Sequence, residues 1–428
     1  MKEKLFESHF GERYRMAILE NGLRIYVCEK PEYSSSYAVF GTCYGSIDTA
    51  FSADGGETVR VPEGIAHFLE HKLFESEDGD AFTRFAKTGA NANAFTSFDR
   101  TCYLFSCSDS FEENLEILLD FVTHPYFTEQ TVQKEQGIIG QEIRMYDDSP
   151  GWCVLFRMLS AMYHHHPVKI DIAGTTDSIA EITADLLYRC YRTFYNPANM
   201  FLCVAGNVRF EQVIRAAEKA TASIPSVHIR REAVAEPESV IAHTTEREFD
   251  VSIPQFCLGF KEPCDESGKS LARRIHMSAA LQILVGDCSP LYRRLISEEL
   301  INDEFDSEYF TGRGYAAVLF SGESACPERV QERILEETER ILKKGAESEL
   351  LETVRRAMYG DSIKRYNSVE NIVMQMCECA VNQEELFDEQ TIIEQMTPQD
   401  ILSCLSVIRS ETAVLSVIKP RSRKGENA

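Results

Sequence analysis

Apolar and polar residues alternate over positions 16–19 and 23–27, on either side of Asn21-Gly22, which predicts a β-hairpin closed by a tight turn. A further strand is expected over 37–44. The apolar period then lengthens from two residues to about 3.6. It predicts a helix over 62–75 with Pro62 in its first turn and a short helix over 80–87 stopped by Gly89. Strands follow at 92–98 and 102–107. Ser110-Phe111-Glu112-Glu113 has the residue types of a capping box and opens a helix to about 124. A longer helix covers 128–146, where Val132, Ile138, Ile139, Ile143 and Met145 recur at helical spacing. More helices, a strand over 200–205 and a helix over 210–223 complete the first half.

A charged, proline-bearing stretch comes next, and residues 229–253 are expected to link two domains. Beyond it the element order recurs: a strand over 256–260, helices over 269–285 and 291–298, and strands over 304–310 and 315–320. Helices over 327–344 and 348–365 and a last strand over 412–417 follow. The recurrence predicts an α+β fold built twice, with domains at 1–228 and 254–428.

The 428 residues suffice for two cores. Acidic residues outnumber basic ones, 68 to 44, for a formal net charge of -24. Such a chain is repelled by nucleic acid and by anionic membrane surfaces, so neither is expected as a partner. No run approaches the ~18–20 apolar residues of a membrane span. The first residues place charges on both sides of one Leu-Phe pair, unlike the apolar core of a secretory signal. Fourteen cysteines lie scattered without framework spacing, which predicts free thiols in a reducing cytoplasm. Cys377 and Cys379 are too close in a helical pattern to share an ion, since i and i+2 face apart.

The chemistry concentrates in His67-Phe68-Leu69-Glu70-His71, inside the helix expected over 62–75. Histidines at i and i+4 stack on one helix face, and Glu70 at i+3 shares it. This is the H-x-x-E-H order, which suits zinc with an open coordination position and a carboxylate beside the metal's water. In a chain with 10 histidines the pattern arises by chance on the order of 0.02 times. A third ligand is required. Glu135 and Glu142, two turns apart on the next long helix, both offer one, and spacing leaves the choice open. His164-His165-His166 reads as a polar loop, and His276 as ordinary packing. Residues 89–96, small and polar, fit either a turn into an internal strand or an edge that accepts an extended peptide as an added strand.

These residues resemble the M16 (pitrilysin/insulinase) metallopeptidases. Gly64-Ile65-Ala66-His67-Phe68-Leu69-Glu70-His71, Asn93-Ala94-Phe95-Thr96 and the Glu135 to Glu142 stretch carry the likeness. His166-Pro167, Ile172-Ala173-Gly174-Thr175 and Tyr195-Asn196-Pro197-Ala198-Asn199-Met200 extend it. The resemblance implies two homologous α+β domains closing as a clamshell on a peptide. It implies zinc as cofactor, held by His67, His71 and Glu142, with Glu70 as general base and Glu135 as the supporting acid. Asn93, Ala94 and Phe95 match the edge strand that pairs with substrate.

The second half departs from the pattern. Active members carry an arginine and a tyrosine in a segment that aligns with residues 289–299 here, where Ile296 holds the arginine position and Tyr309 aligns only with an inserted turn. Arg293 and Arg294 are out of register. Two expectations follow: a zinc metalloendopeptidase acting on unfolded or extended peptides, or a peptidase-like subunit that acts as scaffold or regulator. Either would work as a homodimer or in a heterodimer with a second chain of the same family.

Overall fold

The computed structural model describes residues 1–77 and 79–421, which divide into two compact α+β units. The first holds a seven-stranded sheet of β1 (Lys2–Glu7), β2 (Arg13–Ile18), β3 (Arg24–Glu29), β4 (Ser36–Thr42), β5 (Asn91–Thr96), β6 (Thr101–Cys107) and β7 (Met200–Gly206). Their order is β1-β2-β3-β7-β4-β6-β5. β7 runs parallel to β3 and antiparallel to β4. Every residue of β4 and β7 is buried, as expected of strands covered on both faces. The Asn21-Gly22 hairpin forms between β2 and β3, with Gly22 at φ 91°.

One face of this sheet carries the main core, to which the helices α1 (Ile65–Leu73) and α2 (Glu129–Asp147) contribute Phe68, Leu69, Val132 and Ile139. The other face is covered by the helix Val369–Asn382, whose Ile372, Val373, Met376 and Cys377 meet Tyr26, Val39, Cys102 and Phe201. The second unit holds β8 (Thr244–Phe249), β9 (Gln255–Lys261), β10 (Asp306–Gly312), β11 (Tyr315–Glu323) and β12 (Ala413–Pro420), ordered β8-β12-β9-β11-β10. The helices Leu271–Val285 and Pro327–Lys344 pack on one face. On the other lies the helix Pro150–Met162. A Cβ on Gly259 of β9 would fall 2.6 Å from the side chains of Met158 and Met162.

The units are therefore not contiguous in sequence, as the boundaries at 1–228 and 254–428 would have them. Residues 144–170 join the second unit and 363–388 the first. Each sheet leaves an apolar face that must be covered, and the helix that does so lies far away along the chain. The linker expected over 229–253 is also corrected. Ile229–Arg231 pairs with the strand Ala50–Ala53 of the first unit, and Thr244–Phe249 becomes an edge strand of the second. Edge pairing uses backbone groups, so a charged sequence without apolar alternation can form it.

One helix start and one helix cap also differ from expectation. α1 begins at Ile65, not at Pro62, because Gly64 takes φ 85° and its backbone packs against the chain at Ala173, where a Cβ would lie 2.3 Å from the carbonyl oxygen. The helix Phe111–Thr123 starts where expected, but Ser110 is left-handed and its side chain makes no cap.

Between its two strands the former linker is anchored by charge. Glu236 accepts hydrogen bonds from the backbone N–H groups of His164, His165 and His166 at 2.8, 2.7 and 2.9 Å, and pairs with Lys261 at 2.7 Å. Lys261 also donates to the carbonyls of Met162, Pro237 and Ser239. The three-histidine loop is thus structural. His166 accepts from Val168 N–H at Nδ1 and donates from Nε2 to the Arg313 carbonyl. Burial holds its pKa down at about 4.

Burial alone would raise the pKa of Glu236, but Lys261 and the three N–H donors outweigh it and hold it near 2 against an ordinary 4.5. A carboxylate with a depressed folded pKa stabilises above its unfolded value and loses that contribution as the pH falls toward the folded one. Stability contributed here is thus fully present above about pH 4.5 and lost between there and pH 2. Glu236→Gln, which strands Lys261, is expected to cost ~3–5 kcal/mol in chemical denaturation at pH 7 and to flatten the acid limb over that window.

Candidate metal centre

Eight of the nine residues of α1 are buried, which leaves its histidine face little freedom. The His67 and His71 rings lie 4.6 Å apart, centroid to centroid. α2 crosses this face and brings up two acids. Glu142 Oε1 lies 3.6 Å from His67 Nε2, and its Oε2 lies 3.5 Å from His71 Nε2. These three side chains form a cluster whose ligand atoms all lie within 4.8 Å of one another. Glu135, one heptad earlier, takes a different place: its Oε1 accepts from His71 Nδ1 at 3.0 Å. That bond fixes the tautomer with the Nε2 lone pair turned to Glu142. Of the two acids that spacing left open, Glu142 lies with the histidine Nε2 atoms and Glu135 lies behind His71.

The donor set fits zinc. Two imidazole nitrogens and one carboxylate oxygen are a common three-ligand set for a zinc ion that keeps an open position. Burial, with a smaller contribution from His71, pulls the His67 pKa down to about 3, so its ring is neutral and carries a free lone pair. Its Nδ1 is buried and meets no hydrogen-bonding group among the described residues. For His71 burial acts downward too, but the bond to Glu135 and the charges of Glu70 and Glu142 raise its pKa overall. Glu135 is held below the usual carboxylate range: burial opposes this, and the His71 bond prevails.

Glu70 stands apart from the ligand set. It is buried, its pKa is raised chiefly by burial, and its Oε2 accepts from the Thr96 hydroxyl at 2.9 Å. Thr96 ends β5, which also carries Asn93, Ala94 and Phe95. β5 pairs only with β6, with Ala94 opposite Tyr103, and so forms the edge of the sheet. Asn93 Oδ1 accepts from the Ala94 N–H at 2.9 Å. Sequence reasoning assigned no role to Thr96, nor to Tyr103 and Tyr195, whose hydroxyls meet at 2.8 Å and whose pKa values are raised by burial and by Glu70 among other neighbours. The signal was there for Thr96, which closes the unusual small-residue strand. Tyr103 looks like any core aromatic until the fold sets it beside Glu70.

Comparison with known proteins places the chain in a family. The profile of Insulinase (Peptidase family M16) matches residues 59–176, and that of the Peptidase M16 inactive domain matches residues 181–358. A Bacillus subtilis protein described as the uncharacterized zinc protease YmfH is 42% identical over 419 residues, covering 96% of this chain and 95% of its own. The chain belongs to peptidase family M16. A putative M16-like peptidase from Alicyclobacillus acidocaldarius, 33% identical, superposes with a TM-score of 0.91 over 95% of this chain and 98% of its own. Pitrilysin shares the fold at 16% identity, with a TM-score of 0.78 over 100% of this chain and 47% of its own. In this M16 chain the zinc-type cluster lies wholly in the first unit. No helix among the described residues is long and apolar enough to cross a membrane.

Glu142→Gln is expected to strip zinc from the purified chain, whereas Glu135→Gln should weaken binding ~10–100-fold by loosening His71. Competition against a chelator of known affinity separates the two. Metal retained by Glu142→Gln but lost by Glu135→Gln would reverse the ligand assignment.

Proposed function

We propose that the protein is a zinc-dependent metalloendopeptidase that hydrolyses unfolded or short extended peptides. The observation that carries this reading is the separation of roles among three carboxylates: Glu142 with the histidine Nε2 atoms, Glu135 behind His71, and Glu70 on the same helix face but outside the ligand set. His67, His71 and Glu142 would hold a zinc ion, which when bound would supply Lewis acidity to the substrate carbonyl and to the attacking water. Glu70 then takes the proton of the attacking water and returns it to the leaving amine. Its raised pKa suits a base that must also act as an acid near neutral pH. Thr96 fixes the carboxylate by donating to Oε2. Substrate adds as a strand along the free edge of β5, where Asn93, Ala94 and Phe95 lie, so that backbone pairing delivers the scissile bond near Glu70.

A second reading, a peptidase-like subunit in a heterodimer, draws on the second unit. Ile296, at the position of the family arginine, is an exposed apolar residue. Tyr309 spends its hydroxyl on Glu262 at 2.7 Å, and Glu262 also pairs with Lys269 and Arg273. A missing oxyanion donor costs ~10²–10³ in rate, and a second family chain could supply it. The cysteines of the described chain are free thiols, in keeping with a reducing cytoplasm as its compartment.

Glu70→Gln is expected to keep zinc and lower peptide turnover by ~10²–10⁴-fold. Full turnover by that variant, where wild type depends on zinc, would refute the mechanism. Measuring hydrolysis by the isolated chain separates the two readings: robust zinc-dependent cleavage supports the enzyme alone, and cleavage only after adding a second M16 chain supports the heterodimer.

A further inference from the structure

In the turn between β5 and β6, Ser97 N–H donates to the Arg100 carbonyl at 2.8 Å. Bonded and non-bonded residue pairs alternate along an antiparallel ladder. Counting back from that bonded pair, Phe95–Cys102 and Asn93–Leu104 exchange backbone bonds, and Thr96–Thr101, Ala94–Tyr103 and Ala92–Phe105 do not. The N–H and C=O groups of Ala92, Ala94 and Thr96 therefore point away from β6, to the side of β5 on which the sheet ends. Their side chains share one face: Ala92 and Ala94 pack on the main core, and Thr96 reaches Glu70.

One of these outward groups is occupied. The Ala94 N–H donates to Oδ1 of the preceding Asn93 at 2.9 Å, and Asn93 itself is exposed. Asparagine side chains offer the backbone such a local alternative to a ladder bond. An open edge is a template for unwanted strands, and natural proteins blunt it. A carboxamide folded onto its own strand does so by filling the donor at the centre of the segment. It makes one bond, whereas a peptide residue opposite Ala94 would exchange two, one in each direction. The cap thus yields to an extended backbone and holds against a lone acceptor.

We propose that Asn93 is a displaceable cap: its carboxamide occupies the Ala94 N–H in the free chain and must turn away before an extended peptide can pair with β5. The inference rests on strand addition beside Glu70, as proposed above. The occupant is an extended peptide backbone, because the outward groups run on to Thr96, whose hydroxyl is bonded to Glu70. A side chain that gripped the peptide would weaken binding when removed, whereas removing a cap strengthens it.

Peptide affinity tests it, measured by fluorescence anisotropy on the full chain carrying Glu70→Gln to prevent cleavage. The probe is a fluorescein-labelled decapeptide of alternating threonine and lysine, favoured in extended form by its β-branched residues and attracted to an acidic chain. Its control is the same peptide with every backbone amide N-methylated, which cannot pair as a strand. Asn93→Ala and Asn93→Leu, added to that parent, remove the acceptor. Both are expected to bind the probe ~2–10-fold more tightly, the worth of one net hydrogen bond, and the control no better. Binding by either variant that is weaker, unchanged, or as much tighter for the control would overturn the cap. Strand addition stands in that case so long as the Glu70→Gln parent prefers probe to control. A parent that binds the two alike, or neither, would instead overturn strand addition, and this inference with it.

Discussion

The hydrogen bond between His71 Nδ1 and Glu135, 3.0 Å long, joins two helices that are distant in sequence and sets the orientation of the His71 ring. With Nδ1–H committed to a carboxylate, Nε2 keeps its lone pair and can face only Glu142. Glu142 lies two turns further along α2 than Glu135, so one helix face brings one acid to the Nε2 side of His71 and the other to its Nδ1 side. The crossing of α1 over α2 is thereby fixed at both ends of one imidazole. A carboxamide at 135 would leave the ring free to choose its tautomer.

That crossing holds only because α1 is nearly enclosed. Its apolar residues Phe68 and Leu69 lie in the same core as Val132 and Ile139 of α2. Its N-terminus is gripped by two glycines facing each other: a Cβ on Gly64 would strike the Ala173 carbonyl, and one on Gly174 would strike that of Glu63. Burial then sets the electrostatics. It keeps His67 neutral and raises Glu70, while the His71 bond and nearby cations pull Glu135 the other way. Chemically identical carboxylates are thus driven in opposite directions by their environments.

The same requirement to cover apolar faces shapes both units. Each sheet takes one layer of helices from its own stretch of chain and a single helix from far away, Val369–Asn382 in the first unit and Pro150–Met162 in the second. The charged stretch around Glu236 is held in place by a buried carboxylate that gathers three N–H groups and an ammonium. A polar segment of this kind is ordered by ion pairing and backbone bonds, without a hydrophobic pattern to announce it.

The sequence by itself determined the local elements and the chemistry they carry: the Asn21-Gly22 hairpin, the helix bearing His67, Glu70 and His71, and the long helix bearing Glu135 and Glu142. Each follows from spacing along a few turns, where residues i and i+4 or i and i+7 share a face whatever the rest of the chain does. Only the tertiary structure decided which acid meets the histidine Nε2 atoms and which stands behind His71, because that depends on how α1 crosses α2. It alone set Thr96 and Tyr103 near Glu70, put β5 at a sheet edge, and exchanged one helix between the two halves. Those outcomes are set by packing between residues distant in sequence, and no periodicity within one segment records which partner will cover its apolar face.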